Sequence, residues 1–159
     1  MSEQGSDQAE FWQRTAAARM GGTAYVVALG GSLESVASGR SRMRLPYSQK
    51  LVGNPDTGVV HGGVITAFLD QTCGAAVGSA LREPMAFATL DLRIDYMKPA
   101  TPGRDLFFEG ECIKVTHDIA FARGRAFHDT PDDPIAIANA AFMFTRGVMP
   151  MGTMPPGAR

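Results

Sequence analysis

Residues Gly62 to Arg82, GGVITAFLDQTCGAAVGSALR, are apolar or small on almost every side and contain no proline. As an α-helix these twenty-one residues are about 31 Å long. A helix apolar all round is buried rather than laid on a surface. Its only charge before Arg82 is Asp70. An ionised carboxylate in such surroundings is unfavourable unless it is paired or wetted, so Asp70 is the first candidate for chemistry.

Downstream of Glu83-Pro84 the pattern changes to period two. In Ala86 to Lys98, Leu90, Leu92, Ile94 and Tyr96 alternate with Thr89, Asp91, Arg93 and Asp95, which is a strand with two unlike faces. After a PATPG turn (99–103), Asp105–His117, Ile119–His128 and Ile135–Arg146 read as three more strands. Two of them carry a face of small residues, Ala120, Ala122, Gly124, Ala126 and then Ala136, Ala138, Ala140. Such faces let another element approach closely, and helix 62–82 is the candidate.

Upstream, 52–60 (VGNPDTGVV) has loop composition. Ser35–Pro46 reads as one strand with Arg40, Arg42 and Arg44 on a wet face and Ser41, Met43 and Leu45 on a dry one. Thr23–Leu29, apolar and β-branched, reads as another strand, and 7–20 as a short amphipathic helix stopped by Gly21-Gly22. Residues 1–8 and 147–159 read as tails, leaving a core over about 20–146 of one domain, 1–159. Two strands, one buried helix and four strands predict an α+β fold, a curved antiparallel sheet wrapped around one long central helix.

The composition, 45% apolar and 19% charged with a net charge of −1, is that of a folded domain without attraction for nucleic acid or an anionic membrane. The longest uncharged stretch, Met20–Leu33, is too short to span a bilayer, which needs roughly 20 apolar residues. The polar, acidic start is unlike a secretory signal, and two cysteines, Cys73 and Cys112, suit buried free thiols in a cytoplasmic protein. No metal-site spacing, phosphate loop or dinucleotide fingerprint is present, so neither a metal nor another cofactor is expected.

The segment Asn54–Asp70, NPDTGVVHGGVITAFLD, resembles the hotdog-fold acyl-CoA thioesterases, in particular the PaaI-like (phenylacetate-degradation) and 4-hydroxybenzoyl-CoA thioesterase group. His61-Gly62-Gly63 matches that group's motif at the start of the central helix, and Asp70 its acidic residue nine positions after the histidine. TLDLRIDYMKPA (Thr89–Ala100) resembles the group's next strand, including the Tyr-Met-x-Pro-Ala ending. The resemblance implies hydrolysis of an acyl-CoA to a carboxylic acid and CoA. It also implies sites at a subunit interface in a dimer or a dimer of dimers. On the same ground Thr89 stands where a hydroxyl orients the attacking water. Asn54, one residue further from the His-Gly-Gly than in close relatives, stands near a site asparagine.

The residues make chemical sense by themselves. The N–H groups of Gly62 and Gly63 open a helix, have no intrahelical partner and lie at the positive end of its dipole. Lacking side chains, these residues let a thioester oxygen come close, and one such donor is worth on the order of 3 kcal/mol in the transition state. Asp70 would take a proton from water or attack as nucleophile. His61 is expected to hold the loop or a neighbouring backbone group rather than to act as base. Gly62 and Asp70, eight residues apart, are separated by about 12 Å along one helix. Both reach one carbonyl only if two copies of the helix meet across a two-fold axis, so the catalytic expectation carries a homodimer with it. Lys98, Arg93, Arg123 and Arg125 are candidates for the CoA phosphates, and Phe68 for the acyl pocket. A hotdog enoyl-CoA hydratase or dehydratase and a non-catalytic acyl-CoA binder are the rival expectations.

Overall fold

The structure, a computed structural model, describes residues 23–82 and 85–145. The expected helix over 7–20 and both expected tails lie outside the described residues. Eight strands and two α-helices follow in the order α1 (Ala24–Leu29), β1 (Ser32–Ala37), β2 (Arg40–Leu45), β3 (Val52–Asn54), β4 (Val59–Val60), α2 (Gly62–Ala80), β5 (Ala86–Tyr96), β6 (Leu106–Val115), β7 (Ile119–Phe127) and β8 (Ala136–Thr145). Six strands form one antiparallel sheet in the order β1-β2-β6-β7-β8-β5, and β3 with β4 forms a small separate hairpin. Helix α2 packs on the sheet, chiefly against β6, β7 and β2. This is the hotdog arrangement expected from the sequence.

Glycine sets how close the helix lies. Gly110 and Gly124 face each other across β6 and β7. A Cβ on Gly110 would stand 2.7 Å from the Thr72 carbonyl oxygen, and one on Gly124 2.9 Å from Cys73 Sγ. The helix therefore rests on a saddle of bare backbone, and Ser41 Oγ donates to the Thr72 carbonyl at 2.7 Å to tie β2 to it. Ala120, Ala122, Ala126, Ala136, Ala138 and Ala140 are all buried around that saddle, as their spacing predicts. Burial also pushes the Cys73 thiol up to about 12, with the nearby Asp70 charge adding to the shift.

Three local expectations change. Thr23–Leu29 is not a strand: Ala24–Leu29 is a helical turn and a half, capped by the Thr23 hydroxyl and closed by Gly30 in the left-handed region. Caps at both ends of a six-residue run override its β-branched composition. Ser35–Pro46 is not one strand but the hairpin β1–β2, turned at Ser38-Gly39, where both residues have positive φ as a two-residue turn requires. Its wet and dry faces over 40–45 are as expected, with Ser41, Met43 and Leu45 buried. The loop 52–60 contains the hairpin β3–β4.

The fourth change concerns β5. A bulge at Leu90 shifts the register against β8 between Thr89 and Asp91. Phe87 and Thr89 pair with buried Phe144 and Phe142, and Leu92, Ile94 and Tyr96 pair with buried Ala140, Ala138 and Ala136. Strict alternation puts Thr89 on the face opposite Leu92; the extra residue brings both to the face that carries α2.

Candidate active site

Asp70 sits half-buried on α2, and Thr89 Oγ1 donates to its Oδ1 at 2.8 Å. No ion pair and no other hydrogen bond engages Asp70 among the described residues, so its second oxygen is open. A hydroxyl that donates to the carboxylate presents its own lone pairs outward and so has room to accept from water.

The other end of the site is the start of α2. His61 is the N-cap, and its Nδ1 accepts from the Gly63 N–H at 2.9 Å. That bond requires the proton on Nε2 and engages the Gly63 N–H, which was expected to be available beside that of Gly62. The Gly62 N–H has no acceptor among the described residues. The Gly62 carbonyl accepts from the Tyr96 hydroxyl at 2.7 Å and the Thr66 hydroxyl at 3.1 Å. The two hydroxyls lie 2.9 Å apart. His61 is aligned from behind: its N–H donates to Leu51 O, and a Cβ on Gly53 would stand 2.8 Å from its Cα. Helix α2 is continuous from Gly62 to Ala80, so Gly62 and Asp70 of one chain stay about 12 Å apart.

Beside Gly62 opens a cleft of about 380 Å³, lined by Val59, Val60, Ile65, Met97 and Pro99 together with Tyr96 and Lys98. Lys98 is ion-paired with Asp133.

The remaining candidates fall elsewhere. Asn54 Oδ1 accepts from Asp56 N at 3.0 Å, and the Asn54 carbonyl accepts from Thr57 and Gly58, so the residue builds the β3–β4 turn. Phe68 is wholly buried, stacked on Phe108 at 5.1 Å and pressed against Gly31, and belongs to the core rather than to a pocket. Its position in the apolar helix does not by itself distinguish the two. Arg93, Arg123 and Arg125 lie on the sheet face away from α2, because the residues alternating with them, Leu92 and Ile94 on β5 and Ala122, Gly124 and Ala126 on β7, face the core. Arg93 bonds Asp95, while Arg123 and Arg125 lie opposite Glu111 and Glu109, whose carboxylates hold Arg40 and Arg42.

Sequence reasoning did not find Tyr96, Thr66 or Gly53. The Tyr-Met-x-Pro-Ala ending and the four-residue step from Gly62 to Thr66 were the available signals for the first two. For Gly53 there was only a glycine in a loop.

Strand β5 carries both Thr89 and Tyr96, pairs with β8 on one side and pairs with no strand on the other among the described residues. The described residues hold no cluster of three or more His, Cys, Asp or Glu able to bind a metal, and no helix long and apolar enough to cross a membrane.

Comparison with known proteins matches residues 57–135 to the thioesterase superfamily. The medium/long-chain acyl-CoA thioesterase YigI of Escherichia coli is 30% identical over 129 residues, 73% of this chain and 82% of that protein. A protein of Halobacterium salinarum named as an esterase is 38% identical over 97 residues, 59% of this chain; the match spans 63% of that relative's length. A crystal structure from Pseudomonas aeruginosa superposes with a TM-score of 0.74 at 42% identity, covering 83% of this chain and 98% of that one.

Proposed function

Because this chain belongs to the thioesterase superfamily, we propose that it hydrolyses an acyl-CoA thioester at a site shared between two subunits. The Thr89–Asp70 hydrogen bond carries the reading: it holds one carboxylate oxygen still and leaves the other open, with no cation paired to it among the described residues. The unengaged Gly62 N–H supplies the complementary charge. The two lie too far apart on one α2 to share a carbonyl, so the partner's helix must bring the second. The edge position of β5 supports this, since a strand with no neighbour among the described residues is a template for a second copy.

In this reading the thioester oxygen rests on Gly62 N–H. Asp70 of the partner chain takes a proton from a water that Thr89 helps to orient, and the water oxygen bonds to the carbonyl carbon. The C–S bond then breaks, and the proton held by Asp70 passes to the CoA sulfur. Direct attack by Asp70, giving an anhydride that water opens, uses the same atoms. The cleft beside Gly62, with apolar walls and Lys98, paired with Asp133, in its lining, suits an apolar arm of the substrate. That YigI is named a medium/long-chain acyl-CoA thioesterase favours aliphatic acyl groups.

The test is thiol release over short, medium, long and aryl acyl-CoA esters. Free CoA is expected from at least one class. Crotonyl-CoA hydrated without thiol release would move the chain to the hydratases, and tight binding without turnover across the panel would make it an acyl-CoA binder.

A further inference from the structure

We propose that Tyr96 is a positioning residue for the oxyanion donor: its hydroxyl locks the first turn of α2 so that the Gly62 N–H points at the substrate oxygen. The inference rests on Gly62 being that donor. A helix start with two glycines is the part of a helix that frays most readily, since glycine loses the most conformational freedom on ordering. A donor that wanders has to be reorganised at the moment of reaction, and an oxyanion site works by being arranged beforehand.

Three contacts hold this turn. Tyr96 reaches the Gly62 carbonyl at 2.7 Å and Thr66 reaches it at 3.1 Å. Across the same peptide unit the Gly63 N–H donates to His61 Nδ1 at 2.9 Å. The Gly62–Gly63 peptide plane is therefore gripped at both ends, at its oxygen by hydroxyls and at its N–H by imidazole. Because Gly62 links this plane to the peptide that carries the open N–H, fixing the plane fixes the donor's direction.

Among Tyr96, Thr66 and the carbonyl there are three short contacts but only two hydroxyl protons, so at any moment two of the three are hydrogen bonds. Either hydroxyl can hold the carbonyl when the other turns away. Tyr96 also comes from β5, the strand that carries Thr89, so one strand aligns both the donor and the base of its own chain.

The experiment compares Tyr96→Phe, Thr66→Val, Thr66→Ser and the Tyr96→Phe/Thr66→Val pair with the unaltered chain. It measures kcat and KM by thiol release, thermal melting, and hydrogen exchange of the Gly63 amide by NMR. Tyr96→Phe should lower kcat about five- to tenfold with KM within about twofold, and speed Gly63 exchange about tenfold without a matching fall in melting temperature. Thr66→Ser should behave as the unaltered chain. The double variant should lose more than the product of the single losses, because each hydroxyl covers for the other. Unchanged kcat with unchanged exchange overturns the proposal. So does a raised KM at constant kcat, which would make Tyr96 a wall of the cleft. If Tyr96→Phe does not fold, Thr66→Val and the exchange measurement carry the same decision. Failure of the unaltered chain to release thiol would count against the thioesterase reading, whereas Gly63 exchange decides the role of Tyr96 in either case.

Discussion

Thr89, on β5, donates its hydroxyl proton to Asp70, on the buried helix, across 2.8 Å. This bond joins an edge strand of the described sheet to the only acid on α2, and it exists because the bulge at Leu90 turns Thr89 toward the helix.

Replacing Asp70 by Asn keeps the shape and the Thr89 contact but removes the proposed base. Steady-state thiol release should show kcat falling 10²–10⁴-fold, about the usual worth of general-base help. Thr89→Ala, which leaves the carboxylate in place but unheld, should lose less, about tenfold. Normal turnover by Asp70→Asn would remove Asp70 from the mechanism.

Gly62→Pro is a selective probe of the donor. Position 62 is the first helical residue, where proline is welcome, and His61 before it is already extended at ψ 131. The variant should keep its helix by circular dichroism while kcat drops about 10²–10³-fold.

Mixing these two inactive chains tests the shared site. If the site is shared as proposed, a heterodimer of Asp70→Asn and Gly62→Pro has one doubly damaged site and one intact site. Random re-assortment of equal amounts should therefore restore about a quarter of the unaltered activity. No recovery after verified subunit exchange would place the whole site within one chain.

Adding a methyl to the saddle should loosen the fold. Gly110→Ala presses on the Thr72 carbonyl at 2.7 Å, where backbone cannot yield cheaply, and denaturant melts should show a loss of roughly 1–3 kcal/mol. Gly103→Ala meets nothing within 4 Å and serves as a comparison, although its positive φ carries its own strain.

The Cys73 thiol, held up to about 12 by burial, gives an alkaline signature. Between its ordinary value of 9.0 and about 12 the folded chain keeps a proton that the unfolded chain gives up. Its stabilising effect is thus complete below pH 9 and is lost as pH rises toward 12. Melting temperature should fall more steeply over this window in the unaltered chain than in Cys73→Ala, and thiol reagents at pH 8 should leave Cys73 unmodified until unfolding.

What was legible from the chain follows from how far each cause reaches. Helix α2 announces itself because nearly all of its residues are apolar or small, and Asp70 because it is the one charge among them. The small-residue faces of β7 and β8 mark where the helix rests. The bulge at Leu90 was hidden, since LDLRIDY alternates perfectly and only pairing with β8 shows that one residue is surplus. Helix α1 was misread because two caps outweigh six residues of propensity. The grip of Tyr96 on Gly62 joins positions 34 apart, so the Tyr-Met-x-Pro-Ala ending marks the tyrosine but not its partner.

The surplus residue at Leu90 has a consequence for how the Thr89–Asp70 contact can be lost. A single codon lost there would rotate the first half of β5 by one side chain, removing the hydroxyl from the carboxylate without altering either. The contact thus depends on the length of the strand as much as on the identity of the two side chains, and an inventory of side chains would miss its loss.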